Sequence, residues 1–330
     1  MSPSTTPMTG RQRFLAALKG EQPDHVPLWE LEFHLFDKYA DRPLVLGKRF
    51  AERTARQKEI ALQQNAETIV AVARTLGHSA VTTPGRYWEV APGEPAYWWL
   101  PEDFSWNQLE ALRKAAGDEI ACVRGVPGMI CPPSGSDYEE FCYRIFDAPE
   151  EIDEQARKTL QAGLDFARRA RDCGADAVFN ACDIADNHGV FFPPAQLQRF
   201  WTPYLHQWAS AVTEMGLYTI LHSDGNLTSI LQILADSPLH ALQAIDPIAG
   251  MDLAYVKKTV GDRLCLCGNV DCGALHFGPV EKIVEQTTRV CEIAKPGGRF
   301  VLGASNAVFQ EMPTEHYNAM LAAWREHGTY

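Results

Sequence analysis

The stretch from Ala177 to His222 decides the fold, and it reads AVFNACDIADNHGVFFPPAQLQRFWTPYLHQWASAVTEMGLYTILH. It begins and ends with short apolar runs, Ala177 to Ala181 and Tyr218 to His222, whose length predicts buried strands. Between them, Pro194 to Met215 carries apolar residues at helical spacing, although Pro203 should kink or divide this helix. A strand, a helix and a second strand in this order are typical of a parallel βαβ unit.

The same rhythm extends on both sides of this unit. Further helices are predicted at Thr9 to Lys19, Arg49 to Leu76, Leu100 to Ala116, Pro149 to Asp172, Leu227 to Ala235, Leu253 to Val260, Pro279 to Ala294 and Pro313 to His327. Further strands are predicted at Leu28 to Phe33, Ala241 to Ile245, Leu264 to Gly268 and Phe300 to Gly303.

This alternation predicts an α/β fold, a single (β/α)8 TIM barrel with an N-terminal extension. The barrel domain should span residues 1–330, with residues 1–10 forming a mobile leader. A doubly wound open sheet is the alternative, but no Gly-rich dinucleotide fingerprint follows any of the predicted strands.

Composition excludes several classes of partner. Lys and Arg number 30 against 42 Asp and Glu, and the resulting charge of −12 repels the phosphate backbone of nucleic acids. The longest apolar run near the N-terminus, Phe14 to Leu18, is too short for a signal-peptide core or a membrane span. Nine cysteines in apolar surroundings indicate reduced thiols. We therefore predict a cytoplasmic protein with no membrane partner.

Polar residues follow the predicted strands, where a barrel carries its active site. A polar residue after a strand is often only a turn former or a helix cap, but here the pattern recurs after six strands. It therefore predicts one polar cavity at the C-terminal mouth, and Glu32, Asp183, His222, Asn269 and Ser305 should line it. The full set of residues after the strands is Glu30, Glu32, His34, Asn180, Asp183, Asp186, His222, Ser223, Asp224, Asn226, Asp246, Asn269, Asp271, Ser305 and Asn306.

Three of these segments carry a resemblance to a known family. Leu221-His-Ser-Asp-Gly-Asn226, Leu266-Cys-Gly-Asn-Val-Asp271 and Gly297-Gly-Arg-Phe-Val-Leu-Gly-Ala-Ser-Asn306 resemble, in this order, the uroporphyrinogen decarboxylase superfamily. The resemblance implies a (β/α)8 barrel, often dimeric. It also implies one of two activities: decarboxylation of a porphyrinogen, or transfer of methyl groups to or from a corrinoid or a thiol.

The chain departs from the decarboxylase branch near its N-terminus. True decarboxylases resemble one another in an arginine-rich segment of the type Met-Arg-Gln-Ala-Gly-Arg-Tyr, which binds substrate carboxylates, whereas this chain has Leu28-Trp-Glu-Leu-Glu-Phe33 there. Glu30 and Glu32 would repel the carboxylates of a porphyrinogen. We therefore place the chain closer to the corrinoid-dependent methyltransferase branch.

The methyltransferase branch resembles this chain in a His-x-Cys-Gly motif that, with a later Cys, holds zinc. His222 matches the motif's histidine, but Asp224 stands at its cysteine, and the later cysteine falls near Ala304 and Ser305. His222 and Asp224 can still hold zinc with a third ligand such as Glu32, Asp183 or Cys267. The alternative is a histidine that is only hydrogen-bonded in the core. Cys265 and Cys267 share one strand face, so for them packing is the simpler interpretation.

The resemblance leads to a functional prediction: a methyltransferase of the corrinoid-dependent, O-demethylating type. It would take a methyl group from a small substrate of the methoxylated aromatic kind, with the corrinoid supplied by a partner protein and the chain itself a homodimer. His222, Asp224 and Asp183 would be catalytic, and Trp88, with Trp98 and Trp99, would wall an aromatic pocket. The substrate would be bound by Glu30, Glu32, His34, Asn180, Asn269, Asp271, Ser305 and Asn306. A decarboxylase or lyase acting on a small acid or a porphyrinogen-like substrate, and a non-catalytic small-molecule binder, are the alternatives.

Overall fold

A seven-stranded parallel sheet forms the centre of the computed structural model, which describes residues 7–85, 89–91, 93–133 and 135–330. Its strands lie in the order β1-β4-β5-β8-β9-β10-β11, so each pairs with the next strand of the sheet along the chain. These seven strands are β1 Ala80–Thr82, β4 Ala121–Gly125, β5 Ala177–Ala181, β8 Tyr218–His222, β9 Ala241–Ala244, β10 Cys265–Val270 and β11 Phe300–Ala304. Two short hairpins lie outside this sheet: β2 Glu89–Ala91 with β3 Glu94–Pro95, and β6 Ala185–Asp186 with β7 Gly189–Val190.

Helices connect the strands as the alternation predicts. The bounds are α1 Gly10–Lys19, α2 Phe36–Tyr39, α3 Gly47–Ala51, α4 Ala55–Leu76, α5 Glu102–Ala116, α6 Asp137–Asp147, α7 Pro149–Asp172, α8 Pro194–Phe200, α9 Thr202–Glu214, α10 Leu231–Asp236, α11 Leu253–Val260, α12 Cys272–Phe277, α13 Val280–Ala294 and α14 Thr314–His327. The predicted division at Pro203 is confirmed, because α8 ends at Phe200 and α9 begins at Thr202. The sequence patterns missed α2, α6, α12, β1, β4 and the two hairpins, and the single helix predicted at Arg49 to Leu76 is divided into α3 and α4.

The predicted first strand, Leu28 to Phe33, is present only as isolated bridges. The amide of Trp29 donates to the carbonyl of Leu302 (2.9 Å), and the amide of Leu302 donates to that of Pro27 (2.9 Å). On the other side, the amide of Ser79 donates to the carbonyl of Leu28 (2.8 Å). Both edges of the sheet thus curl toward this segment. The eighth regular strand of the prediction is missing, and Pro27 contributes to this because it has no amide with which to extend a ladder.

Apolar side chains fill the inside of the curled sheet. Phe14 of α1 contacts Trp29 edge-on, with ring centroids 5.9 Å apart, and Trp29 contacts Phe179 of β5 (6.3 Å). Ala17 and Leu18 of α1 belong to the same buried cluster. Since α1 packs against the inside of the sheet and this interior is filled, the polar residues at the opposite, C-terminal ends of the strands are the ones left to form a site.

The predicted mobile leader does not extend to residue 10. Gly10 is already the first residue of α1, and Thr9 caps this helix by accepting a hydrogen bond from the amide of Gln12. The amide of Met8 donates to Asp24 (3.1 Å). Residues 1–6 of the predicted leader lie outside the described residues. In the described part of the chain, no helix combines the length and the apolar character needed to cross a bilayer.

Candidate active site

Asp183, His222 and Asp224 meet at the C-terminal edge of the sheet. His222 Nε2 lies 3.7 Å from Asp183 Oδ1 and 3.8 Å from Asp224 Oδ1, and the three side chains offer ligand atoms that all lie within 4.8 Å of one another. The imidazole is buried, with 6% of its side chain exposed, whereas 57% of Asp183 is open to solvent. The structure thus brings together the three residues that the sequence analysis predicted to be catalytic.

Neighbouring strands bring these residues together. His222 ends β8 and stands beside Ala181, the last residue of β5, and Asp183 follows two residues later. The amide of Asp224 donates to Asp183 Oδ1 (2.9 Å), which links the loop after β8 to the loop after β5. Parallel strands place their carboxyl ends at one edge, so a polar residue after each strand reaches the same place.

The loop after β8 turns at Gly225, which has a left-handed φ of +87°. A Cβ at this position would lie 2.5 Å from the carbonyl oxygen of Ala185 and 2.8 Å from that of Asp186. The glycine therefore serves both the backbone conformation and the close approach of the β6 backbone. Gly216 provides a natural comparison, because its φ is +85° but no atom lies within 4 Å of a Cβ built there.

We expect Gly225→Ala to lower the free energy of unfolding by roughly 3 kcal/mol, from left-handed strain together with overpacking against the β6 backbone. Gly216→Ala carries only the strain and should cost roughly 1 kcal/mol. Urea denaturation of the two variants measures the difference. Equal losses would show that the contact with Ala185 does not constrain the loop.

The side chain of Asp224 is less exposed to solvent than that of Asp183. Burial raises the pKa of Asp224 to about 6; the imidazole of His222 acts to lower it, and the carboxylates of Asp183 and Asp246 act to raise it. The side-chain amide of Asn306 donates to Asp224 Oδ2. The pKa of this carboxyl group therefore lies close to neutral pH.

A cavity of about 800 Å³ opens at the same edge of the sheet. Its polar wall includes Glu32, Thr82, Arg124 and Asn180 together with Gln155, Lys158 and Thr159 of α7, whereas the loop after β4 and further residues of α7 provide an apolar part. Asn180 is 2% exposed, and its Oδ1 atom has no hydrogen-bond partner. A buried acceptor without a partner is unusual, so a donor on a bound molecule or a water would complete this site.

The prediction of one cavity lined by five residues is wrong in part. Glu32 lines the cavity, whereas Asp183, His222, Asn269 and Ser305 are absent from its wall. Asn269 is buried and donates to the carbonyl of Ile245 (2.9 Å). Ser305 is buried and accepts from the amide of Cys272 (3.3 Å). These residues do lie at or just after the C-terminal ends of their strands, but Asn269 Nδ2 and Ser305 Oγ are engaged in hydrogen bonds within the protein, while Asn269 Oδ1 has no hydrogen-bond partner.

Three further predicted substrate contacts are used by the protein itself. Glu30 is 2% exposed; its carboxylate accepts from the hydroxyl of Tyr317 (2.9 Å) and from the amide of Ala304 (2.8 Å), so it does not reach the cavity. Asp271 caps α12 by accepting from the amides of Gly273 and Ala274. Asn306 donates a hydrogen bond to Asp224, so its side-chain amide is used within the group formed with Asp183 and His222.

Of the three residues predicted as candidates for a third metal ligand, Asp183 is the one that lies with His222 and Asp224, and neither Glu32 nor Cys267 joins this group among the described residues. Cys267 lies deeper inside the sheet, in the apolar cluster around Trp29, where burial raises the pKa of its thiol well above the usual value. Glu32 is instead bonded to His34, with Oε2 and Nε2 2.9 Å apart.

His34, another predicted substrate contact, lines a second cavity of about 480 Å³.

The prediction of an aromatic pocket walled by Trp88, Trp98 and Trp99 is tested only in part. Trp98 is buried and stacks on Phe36, with centroids 5.2 Å apart, so it belongs to the core. Trp88 lies outside the described residues.

Two buried polar residues of the site escaped the sequence analysis. Gln243 of β9 stands beside His222 in the sheet, and its side-chain oxygen bonds to His222 Nδ1. Arg124 of β4 bonds to the carbonyl of Pro84 (2.9 Å) and the hydroxyl of Ser105 (2.8 Å), and lies over the ring of Trp106. In both cases the available signal was a single polar residue within a short apolar run.

Comparison with known proteins shows which family this chain belongs to. Residues 128–327 match the family model for uroporphyrinogen decarboxylase (URO-D). The chain belongs to the uroporphyrinogen decarboxylase family. The matched residues contain all three segments that carried the resemblance, together with Asp183, His222 and Asp224.

Curated relatives of this uroporphyrinogen decarboxylase family member are distant. It is 26% identical over 227 residues to uroporphyrinogen decarboxylase 2, chloroplastic, of Oryza sativa subsp. japonica, a match that covers 66% of this chain and 55% of the relative. It is 24% identical over 235 residues to uroporphyrinogen decarboxylase of Aromatoleum aromaticum, covering 67% of this chain and 63% of the relative. The chain therefore matches only 55 to 63% of the length of these relatives.

A solved structure covers nearly the whole of this family member. A methyltransferase from Methanosarcina mazei superposes with a TM-score of 0.68 at 20% identity, covering 97% of this chain and 99% of that one. At this identity the likeness establishes the shared fold.

Proposed function

We propose that this uroporphyrinogen decarboxylase family member is a methyltransferase of the demethylating type. It would move a methyl group from a small, methoxylated aromatic substrate to a corrinoid carried by a partner protein. The observation that carries the proposal is the group formed by Asp183, His222 and Asp224 beside the cavity of about 800 Å³. The chain would work as a homodimer, as the family resemblance implies.

The donor set fits a divalent metal such as zinc. One imidazole nitrogen and two carboxylate oxygens within 4.8 Å of one another are the ligand types found in catalytic zinc sites, which keep one position open. Asp183, His222 and Asp224 would hold the ion. When bound, it would supply a Lewis acid that stabilises negative charge on an oxygen leaving group.

The residues themselves can handle the proton of the reaction. When the bond between the methyl carbon and its oxygen breaks, the oxygen keeps the electron pair and needs a proton or a positive charge. Where no metal is bound, the ring of His222 would donate this proton, and the carboxylates of Asp183 and Asp224 lie 3.7 and 3.8 Å from its Nε2. The apolar part of the cavity, which includes Phe166 and Phe179, suits the body of an aromatic substrate.

A decarboxylase is the second candidate, and the curated relatives favour it because they are named uroporphyrinogen decarboxylases. The acidic groups of the site speak against a porphyrinogen as the substrate. Glu32 in the cavity wall would repel substrate carboxylates, and Asp183 and Asp224 add negative charge at the neighbouring strand ends, although Arg124 and Lys158 of the same wall are basic. A smaller acid would meet less repulsion.

Metal analysis together with a product assay tests the proposal. We expect the purified protein to bind about one equivalent of zinc. Incubated with a methoxylated aromatic compound and reduced cobalamin, it should form methylcobalamin and the free phenol. Release of carbon dioxide from an acid without methylcobalamin would establish the decarboxylase instead, and tight binding without turnover would leave a binding protein.

A further inference from the structure

The turn at residues 304–306, which begins at the last residue of β11, bonds to the side chains that contact His222 and Asp224. The side-chain amide nitrogen of Gln243 donates to the carbonyl oxygens of Ala304 and Ser305, at 3.3 Å each. Asn306, the third residue of the turn, donates to Asp224. Two members of the catalytic group are thus oriented from one short segment.

The two carbonyl groups fix the orientation of Gln243. If its amide were reversed, the side-chain oxygen would face two carbonyl oxygens, which cannot donate a hydrogen bond. The oxygen of Gln243 must therefore point at His222 Nδ1, and it can only accept. Nδ1 must carry the ring proton, so Nε2 of the neutral imidazole presents its lone pair toward Asp183 and Asp224.

Asn306 is fixed in the same manner. Its side-chain oxygen accepts from the amide of Ala307 (2.6 Å), so its side-chain nitrogen faces Asp224 Oδ2. The other oxygen of Asp224, Oδ1, is the one that lies 3.8 Å from His222 Nε2. One carboxylate oxygen is thereby held by the protein, and the other faces the imidazole.

Buried groups anchor the turn itself. The amide of Ala304 donates to Glu30, which also accepts from Tyr317. The hydroxyl of Ser305 accepts from the amide of Cys272, and the amide of Asn306 donates to Cys272 Sγ (3.0 Å). A segment bonded on both sides in this way can impose an orientation on the side chains that it holds.

We propose that Gln243 and Asn306 are positioning residues of the active site. Gln243 selects the Nδ1–H tautomer of His222, and Asn306 selects the oxygen of Asp224 that faces it. Together they prepare a lone-pair site for a divalent cation. The claim that a cation binds here rests on the proposed function, whereas the assignment of the His222 tautomer does not depend on it.

The tautomer is tested in the metal-free protein by long-range ¹H–¹⁵N NMR of the His222 ring, at a pH where the ring is neutral. We expect the Nδ1–H form in the wild type and a mixture containing the Nε2–H form in Gln243→Met, because methionine is similar in length and offers no comparable acceptor. The matched control is Gln232→Met, a glutamine on the exposed side of α10 that bonds to Asp236 and Arg263. It should leave the ring signals of His222 unchanged.

Zinc affinity provides the second readout, measured by competition with a chelator. We expect Gln243→Met and Asn306→Leu to weaken zinc binding by roughly 10- to 100-fold, and Gln232→Met to leave it unchanged. If Gln243→Met unfolds, Gln243→Leu is measured instead. It also offers no acceptor to Nδ1, so it should give the same mixture of tautomers.

The inference and the proposed function can fail separately. A pure Nδ1–H ring and unchanged zinc affinity in a folded Gln243 variant would overturn the inference, whatever reaction the protein catalyses. A wild type that binds no zinc would count against the metal of the proposed function, and the tautomer of the variant would still decide the role of Gln243.

Discussion

His222→Ala is expected to lose bound zinc and to lower turnover by roughly a hundredfold to ten-thousandfold. His222 provides the single nitrogen of the group, and both neighbouring carboxylates are oriented toward it, with Asp183 at 3.7 Å and Asp224 at 3.8 Å. A site with three protein ligands tolerates little deletion. Metal content and initial rates, measured on the same preparation, test this expectation.

Asp224→Ala should fail in the same way, because the two residues form one unit. The double variant should be scarcely worse than either single variant, since residues that act together have non-additive effects. If the pair works only as acid and base, the rates should still fall while both the wild type and the variants contain no metal. His188→Ala, which removes an exposed histidine of the β6–β7 turn, is the control. Turnover close to wild type in either single variant would show that the chosen site is wrong.

The second large effect concerns Glu30 and the dependence of stability on pH. Burial raises the pKa of Glu30 from 4.5 to about 8, although its hydrogen bonds from Ala304 and Tyr317 act to lower it. The folded state therefore holds this proton more tightly than the unfolded state does. The stabilisation is complete below pH 4.5 and is lost as the pH rises through about 8. Wild-type protein should lose up to roughly 5 kcal/mol over this range relative to Glu30→Gln.

The comparison with Glu30→Gln is needed because His78 has the opposite effect. Burial lowers the pKa of His78 from 6.5 to about 3, so its contribution to stability rises with pH between these values and opposes that of Glu30. His78 Nε2 lies 2.9 Å from the hydroxyl of Tyr317, which bonds to Glu30, and His78 is present in both proteins. Its effect therefore largely cancels in the difference between them.

Urea denaturation between pH 5 and 9 measures this difference. Glu285→Gln, which changes an exposed glutamate of α13 in the same way, should give a difference that does not vary with pH. A flat difference for Glu30→Gln as well would mean that Glu30 is ionised in the folded protein across the whole range.

Local patterns predicted much of the α/β alternation, because helices and strands differ in the period of their apolar residues. The strands Ala177–Ala181 and Tyr218–His222 and the helices Pro149–Asp172 and Leu253–Val260 were predicted with their observed bounds. The strands β1 and β4 were missed; β1 has only three residues, and Arg124 interrupts the apolar run of β4.

The sequence by itself determined where His222, Asp183 and Asp224 would lie. Parallel strands deliver the residues that follow them to one edge of a sheet, whatever the details of packing. It could not determine the surroundings of Glu30 and Glu32, which alternate to the same side in the sequence. In the structure, Tyr317 of α14 covers Glu30, while Glu32 bonds to His34 and reaches the cavity. The contact of Gln243 with His222, 21 residues away, likewise depends on the register of β8 and β9. Such contacts between distant segments arise only when the sheet has formed, so no local period in the sequence encodes them.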